Sequence, residues 1–397
     1  MRILYLADIR FPLERANGIQ SAETCHALAS RGHDVTMLVR PDTATPARDP
    51  LAFYGLPPVP ALHVVRVPAA GPMKRRRLAY LLAAMRGTLS RSRYDVVYTR
   101  DLGVASWVTQ CPRGIRPPVV YESHGMAHVF GASLGQLLSD AESASPRKQR
   151  RLASRERRVW KRADGYITIT ATLLRDLERA WGPRSHVSVV PDGMRLPAER
   201  TFTPARAGPR LKLAYAGHLY PWKGVDTLLR AVALLPGVEL LVVGGHPAEP
   251  DLARLQSLAR DLGIAERTEF TGLVAPSEVP SQLGRADVLV LPNSATAVSA
   301  SYTSPLKLFE YLAAGRAIVA SQLPALEEVL THERNALLVR PDDPDALAEA
   351  VRRLAADRDL ALRLARAAFD LAPEFTWARR AERLEALLIP LARPGRR

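Results

Sequence analysis

The sequence predicts an α/β protein made of two doubly wound domains, each a parallel sheet covered by helices on both faces. Three observations carry this. Short continuous runs of apolar, largely β-branched residues recur along the 397 residues. Helical patterns separate these runs. The alternation pauses at Pro197–Pro209, a Pro-, Ala- and Arg-bearing stretch that reads as a linker, and then restarts. A half-exposed strand would alternate apolar and polar residues; an unbroken run marks a strand buried on both faces, as in parallel sheets. Strand–helix alternation then gives a doubly wound fold, with ligands expected at the carboxyl ends of the strands.

In the first half, Ile3–Ile9 reads as a strand and Ile19–Arg31 as a helix ended by Gly32. Val35–Val39 and Leu62–Val67 are strands, with the Pro-rich stretch Pro41–Pro60 as a loop between them. Arg77–Leu89 is helical. Asp95–Thr99, Pro118–Tyr121, Gly165–Thr170 and Val187–Val190 are further strands. After the linker, Leu211–Ala216, Glu239–Val243, Thr268–Thr271, Asp287–Leu291, Ala317–Ala320 and Ala336–Val339 are strands. Val225–Leu235, Pro250–Leu262, Ser277–Leu283, Pro305–Ala314 and Pro344–Phe369 are helices. Trp377–Ile389 is a last helix, stopped by Pro390 and followed by a basic tail. The domains are therefore expected at 1–200 and 201–376.

Composition narrows the class. At 47% hydrophobic and 24% charged the chain is ordinary for a globular protein. No apolar run approaches the ~20 residues that span a bilayer. Met1–Asp8 reads as a strand, not a signal peptide, and two cysteines, Cys25 and Cys111, suggest no disulfide framework; a cytoplasmic location fits. The net charge is +15, and it is unevenly spread. Residues 1–200 carry 31 basic against 17 acidic residues, and residues 201–397 carry 24 against 23. Lys74-Arg75-Arg76-Arg77 and the segment from Arg147 to Arg162 hold much of the excess. An anionic membrane surface suits such clusters. Nucleic acid does not, because aromatics are 6% of the chain and only Trp160 falls within the clusters.

The most informative motif is Ser304–Gly315. Ser304 reads as an N-cap and Pro305 as the first helical residue, which puts Lys307 at the third. A cation there opposes the helix dipole by roughly 0.3–1 kcal/mol. A bound anion would reverse the penalty, and Glu310, three residues on, shares the helix face. Diphosphate at the helix start and ribose hydroxyls on the carboxylate would fit. The same stretch also reads as an ordinary amphipathic helix with Lys307 and Glu310 in solvent. Lys223 repeats the anomaly after Ala216-Gly217-His218-Leu219, and two such lysines together would neutralise a diphosphate. Gly18, after the first strand, would let a ligand approach the backbone; so would Gly244 and Gly272, which follow strands of the second half. His124, after the strand ending at Tyr121, sits where a cleft residue should emerge. His124 and His128 are spaced for one face of a helix, but no third metal ligand is near. Asp343-Pro344-Asp345 reads as capping rather than cation binding. No metal or other cofactor is expected.

In order along the chain, Arg31-Gly32-His33-Asp34-Val35-Thr36, Glu122-Ser123-His124-Gly125, Val190-Pro191-Asp192-Gly193, Ala216-Gly217-His218-Leu219 with Lys223-Gly224, and Lys307-Leu308-Phe309-Glu310-Tyr311 with Ala314-Gly315 resemble the motifs of retaining glycosyltransferases of family four. The resemblance spans nearly the whole chain. It implies the GT-B architecture, with two Rossmann-like domains facing a cleft. It implies a nucleotide-diphosphate sugar, UDP- or GDP-linked, in the C-terminal domain and an acceptor in the basic N-terminal domain. Lys223 would contact the donor phosphates, Glu310 the ribose, backbone near Gly272 and Val274 the base, and His124 the sugar. Ser304, Leu306 and Lys307 would complete the donor loop. The final helix would cross back onto the first domain. Two departures stand out. The family's Glu-x7-Glu pattern has Tyr302 in its first position, and His218 replaces a basic residue. The implied reaction is sugar transfer, with retained configuration, to a glycan, lipid-linked or small-molecule hydroxyl in cell-envelope, exopolysaccharide or glycolipid synthesis. A nucleotide-sugar binder without catalysis is the alternative that Tyr302 suggests.

Overall fold

The computed structural model describes residues 1–68, 71–90, 93–139, 141–196, 200–204, 210–247 and 249–392. Most of the linker at 197–209, and the basic tail after residue 392, lie outside them. The chain divides into two compact units. The first comprises Met1–His128, Arg147–Gly193 and the chain from Trp377 onward; the second comprises Val129–Pro146 and Met194–Thr376.

The first unit holds strands β1 (Arg2–Arg10), β2 (Asp34–Arg40), β3 (Leu62–Arg66), β4 (Val96–Thr99), β5 (Val119–Ser123), β6 (Gly165–Thr168) and β7 (Val187–Val189). They form one sheet in the order β3-β2-β1-β4-β5-β6-β7, and every pairing is parallel. The connecting helices are α1 (Ala16–Ser30), α2 (Pro50–Tyr54), α3 (Met73–Leu89), α4 (Leu102–Val108), α6 (Pro146–Arg162) and α7 (Ala171–Trp181), while α5 (Ala127–Leu137) starts in this unit and lies mostly in the second. Tyr80 and Ala84 of α3 seal one face of the sheet against Leu4, Leu6 and Val97. The expected loop at 41–60 contains α2, which starts at Asp49, whose side chain accepts from Ala52 N–H, and ends at Gly55. The basic segment at 147–162 is helical. Its inner face buries Glu156, Val159 and Trp160, a face the charge density of the sequence hides.

The second unit holds β8 (Lys212–Ala216), β9 (Glu239–Val243), β10 (Thr268–Gly272), β11 (Val288–Leu291), β12 (Ala317–Ser321) and β13 (Leu337–Val339), in the parallel order β10-β9-β8-β11-β12-β13. Its helices are α8 (Val225–Ala233), α9 (Pro250–Asp261), α10 (Val279–Leu283), α11 (Ala297–Ser301), α12 (Leu306–Ala313), α13 (Pro324–Glu327), α14 (Pro344–Ala356) and α15 (Arg358–Leu371). Leu213 and Tyr215 of β8 enter one core layer, and Ala214 and Ala216 the layer on the opposite face. This alternation within a wholly buried strand explains the unbroken apolar runs.

Beyond shifts of a few residues, such as the start of α3 at Met73 instead of Arg77, four boundaries differ from the sequence reading. The helix expected over Pro344–Phe369 is two, because Asp357 adopts extended backbone and caps the second with its own Oδ1, 2.9 Å from Leu360 N. Residues Val129–Pro146 belong to the second unit, not the first. There Ser139 Oγ donates to the buried Asp251 at 2.9 Å. The last helix, α16 (Trp377–Leu391), runs through Pro390 instead of stopping at it, since proline in a final turn removes few helical bonds. Finally, α12 begins one residue later than expected. Pro305 is its N-cap and Ser304 lies outside it, so Lys307 is the second helical residue.

Candidate active site

In the second unit the strand order reverses between β8 and β11, so the crevice at their carboxyl ends is the expected binding position. Gly217 follows β8 at φ +127, and its N–H donates to Val243 at 2.8 Å. A side chain on Gly217 would stand 3.3 Å from Lys307 Nζ. Gly244 follows β9 at φ +118, and a side chain there would strike the Gly217 carbonyl oxygen at 2.4 Å. The two glycines thus stack backbone on backbone. Gly244 N–H also donates to Thr271 Oγ1 at 3.2 Å, joining the β10 loop to the same edge. Apart from its chain neighbours, no heavy atom among the described residues lies within 4 Å of the place a side chain of Gly272 would occupy. Val274, just beyond, is half-buried against the core.

Two tyrosines that the sequence reading did not single out fix this edge. Tyr311 of α12 accepts from Ala216 N–H at 2.7 Å. Tyr215 donates to the His218 carbonyl at 2.5 Å and presents its ring face to Lys307, whose ammonium lies 3.6 Å from the ring centroid. Lys307 is 7% exposed, and among the described residues its Nζ has no hydrogen-bond partner. Burial depresses its pKa well below the usual lysine range; Lys223 adds to the depression and Glu310 opposes it. The solvent-facing reading of Lys307 therefore fails. Lys223 closes a 3-10 turn, Pro221–Lys223, ahead of α8, with its ammonium 3.5 Å from the Trp222 ring centroid. Burial lowers its pKa to about 7. Burial raises that of Glu310 to about 7, against the pull of Lys307. Two lysines close enough to repel, neither with a carboxylate ion pair among the described residues, form a site that lacks its counter-charge.

The other expected donor residues are less uniform. His218 Nδ1 lies 3.1 Å from Glu249 Oε1, and its ring stacks on Tyr220. Any phosphate contact by His218 would compete with that carboxylate. Tyr302 ends α11 and is 7% exposed. Ser304 and Leu306 flank the N-cap of α12, half-buried. A separate cavity of about 350 Å³, lined by Arg210, Arg316 and Arg358, sits at the amino ends of β8, β11 and β12, away from these loops.

In the first unit His124 follows β5, and its Nε2 lies 2.6 Å from Glu122 Oε1. Glu122 is fully buried. Arg380 of α16 donates to both its oxygens at 2.7 Å, Gln20 Nε2 donates at 2.8 Å, and the Tyr98 hydroxyl donates as well. Burial pushes Glu122 up, but Arg380 and His124 outweigh it, and the carboxylate stays below its ordinary range. His124 is held neutral by burial and by the charge of Arg100, against Glu122. An ionised carboxylate only accepts, so Nε2 carries the proton and Nδ1 is left as an acceptor. Glu156 of α6 holds the turn behind His124: its Oε2 accepts from Ala127 N–H at 2.7 Å.

Gly18 behaves differently from expectation. It lies inside α1, where a side chain would meet the Leu13 carbonyl oxygen at 2.2 Å and the Tyr54 hydroxyl at 2.5 Å. The protein's own chain, rather than a ligand, uses the space. His128 lies in α5 and His124 precedes it, so the two do not share a helix face. Among the described residues no three metal-ligating side chains come together. Asp343 caps α14, accepting from Ala346 N–H at 3.0 Å.

Family comparisons match both halves. A glycosyl transferase 4-like domain covers residues 18–193, and glycosyl transferases group 1 covers residues 210–357. The D-inositol 3-phosphate glycosyltransferase of Xylanimonas cellulosilytica is 30% identical over 382 residues, covering 89% of this chain and 87% of that one. The chain belongs to glycosyltransferase family four. A Streptomyces avermitilis glycosyltransferase, also described as acting on D-inositol 3-phosphate, is 31% identical over 89% of this enzyme and 78% of its own length. Sucrose-phosphate synthase from Thermosynechococcus elongatus superposes with a TM-score of 0.77 at 20% identity, covering 98% of each chain. Anabaena HepE, solved with UDP-glucose, gives 0.71 at 18% identity, covering 98% of this chain and all of that one. At these identities the structures establish the fold alone, which is GT-B. The glycosyltransferase also contains Arg380, Gln20, Arg100 and the two tyrosines, which no local motif signals. Arg380 lies 258 residues from the carboxylate it holds.

Proposed function

We propose that the enzyme transfers a hexosyl unit from a UDP- or GDP-sugar to an acceptor hydroxyl with retention of configuration and without a metal ion. The observation that carries this is Lys307: an ammonium buried against the Gly217 backbone, with no hydrogen-bond partner among the described residues, at the carboxyl edge of a parallel sheet. Lys307 and Lys223 supply two positive charges to a diphosphate, and Glu310 accepts from ribose hydroxyls. As the bond to the sugar breaks, charge grows on the leaving phosphate, and preorganised cations stabilise it. That phosphate then takes the acceptor's proton on the same face, so no protein nucleophile is required. His124, neutral and fixed by Glu122, offers Nδ1 to a sugar hydroxyl. HepE was solved with UDP-glucose, which favours a uridine donor.

The relatives described as acting on D-inositol 3-phosphate favour an acceptor that carries a phosphate. In the first unit burial lowers the pKa of Arg155, repulsion from Arg151, Arg77 and Arg158 adds to this, and Asp101 opposes it. An acceptor phosphate would relieve that repulsion. We place the reaction in cell-envelope, exopolysaccharide or glycolipid synthesis, in the cytoplasm or at the cytoplasmic face of a membrane. The test is a thermal-shift screen of UDP-, GDP- and ADP-sugars followed by transfer assays with phosphorylated and unphosphorylated polyols. A ligand at a hundredfold excess over its Kd stabilises by roughly 2.7 kcal/mol. Lys223→Ala and Glu310→Ala should each lower kcat at least ~100-fold in a folded protein. Wild-type rates in those variants would remove the site assignment, and donor binding without transfer would make the protein a nucleotide-sugar binder.

A further inference from the structure

We infer that the outer face of α3 is a docking surface for an anionic lipid bilayer. The inner face of this helix is well buried, with Tyr80, Ala84 and Thr88 each at 0% exposure. The outer face should then be polar. Instead it carries Leu78 and Leu82, each 53% exposed, and Leu89, 42% exposed, on one stripe. The neighbouring α4 packs alongside: a side chain on Gly103 would meet the Arg77 guanidinium, and Cys111 Sγ lies 3.3 Å from Met85 Sδ. Trp107 of α4 and Ile115 beyond it are 39% and 44% exposed. Of the nine exposed large apolar side chains among the described residues, five therefore fall between residues 78 and 115.

Charge identifies the occupant. Lys74, Arg75 and Arg76 are exposed at the start of α3, Arg86 is exposed in its last turn, and residues 71–94 contain no acid. Cations in a first turn oppose the helix dipole, so they are not there to stabilise the helix. An apolar stripe with basic ends matches an interfacial helix, whose leucines enter the acyl boundary while arginines meet the headgroups. Tryptophan favours the same depth. A second copy of the chain fits poorly, because a two-fold contact would set these cations against one another. The inference deepens the peripheral-membrane part of the proposed function. Vesicle binding tests it without reference to turnover.

The full-length protein is sedimented with phosphatidylcholine vesicles, with and without phosphatidylglycerol, at low and high salt. We expect at least ~10-fold stronger partition onto the anionic vesicles, weakened by salt. Leu78→Glu/Leu82→Glu should abolish the preference while keeping circular dichroism and turnover on a soluble acceptor. Lys74→Glu/Arg75→Glu should abolish the salt dependence. Equal partition onto both vesicles, binding that survives the leucine variant, or a concentration-dependent dimer that the leucine variant breaks would each overturn the inference. An inactive protein that still binds anionic vesicles would sink the reaction alone.

Discussion

Replacing Lys307 by Met should stabilise the ligand-free enzyme and weaken donor binding in the same molecule. Met has a similar length and fills the same space against Tyr215. In the wild type the ammonium is buried with no hydrogen-bond partner among the described residues, which costs about 1–3 kcal/mol or more for a charged group. The Tyr215 ring face returns up to about 2 kcal/mol of this. The variant should therefore gain about 1 kcal/mol in urea denaturation near pH 7. The gain has a pH signature. The unfolded chain holds this proton up to about pH 10.4, whereas the folded chain releases it at much lower pH. Between those values the unfolded state binds more protons, so wild-type stability rises with pH and the advantage of Met shrinks toward pH 10. Donor binding moves the other way, because a charge-assisted bond to phosphate is worth about 1.5–3 kcal/mol, or roughly ten- to a hundredfold in Kd for UDP. A destabilised variant whose UDP affinity stays within about threefold of wild type would refute this account of the site.

Two further outcomes follow from the same geometry. Donor binding at pH 8–9 should take up protons, because Lys223 and Lys307 are depressed in the free enzyme, a diphosphate restores their charge, and Glu310, at about 7, is already ionised; calorimetry in buffers of different ionisation enthalpy reads this, and proton release would contradict it. Arg380→Met leaves the Glu122 carboxylate buried and short of its main counter-charge, and should cost about 3–5 kcal/mol, whereas Arg380→Met combined with Glu122→Gln should recover much of that loss in denaturant titrations.

The sheets were legible because parallel strands buried on both faces leave unbroken apolar runs, and Leu213–Ala216 feeds both core layers. What stayed hidden is what charge or a single residue disguises. The segment 147–162 reads as an arginine cluster, yet Glu156, Val159 and Trp160 form its buried side. The break at Asp357 turns on one side-chain cap inside an otherwise continuous helical pattern. The grouping of Val129–Pro146 with the second unit depends on tertiary contacts such as Ser139 to Asp251, which leave no periodicity behind them.

The site divides along the same line. Lys307 was legible because it breaks a local rule: a cation in the first turn of a helix with no acid in that turn. The structure makes the violation larger, since the ammonium is buried as well as misplaced. Gly18 shows the opposite. Its position after a strand looks functional, but the Leu13 carbonyl and the Tyr54 hydroxyl fill the space that its missing side chain leaves. A glycine has many structural causes, whereas a buried lysine with no hydrogen-bond partner among the described residues has few. His124 lies between these cases. Burial and the charge of Arg100 keep it neutral, Glu122 fixes its tautomer, and Glu122 depends on Arg380 from the last helix. Local sequence can propose that histidine, but the carboxylate that fixes its tautomer is held by a residue more than 250 positions away.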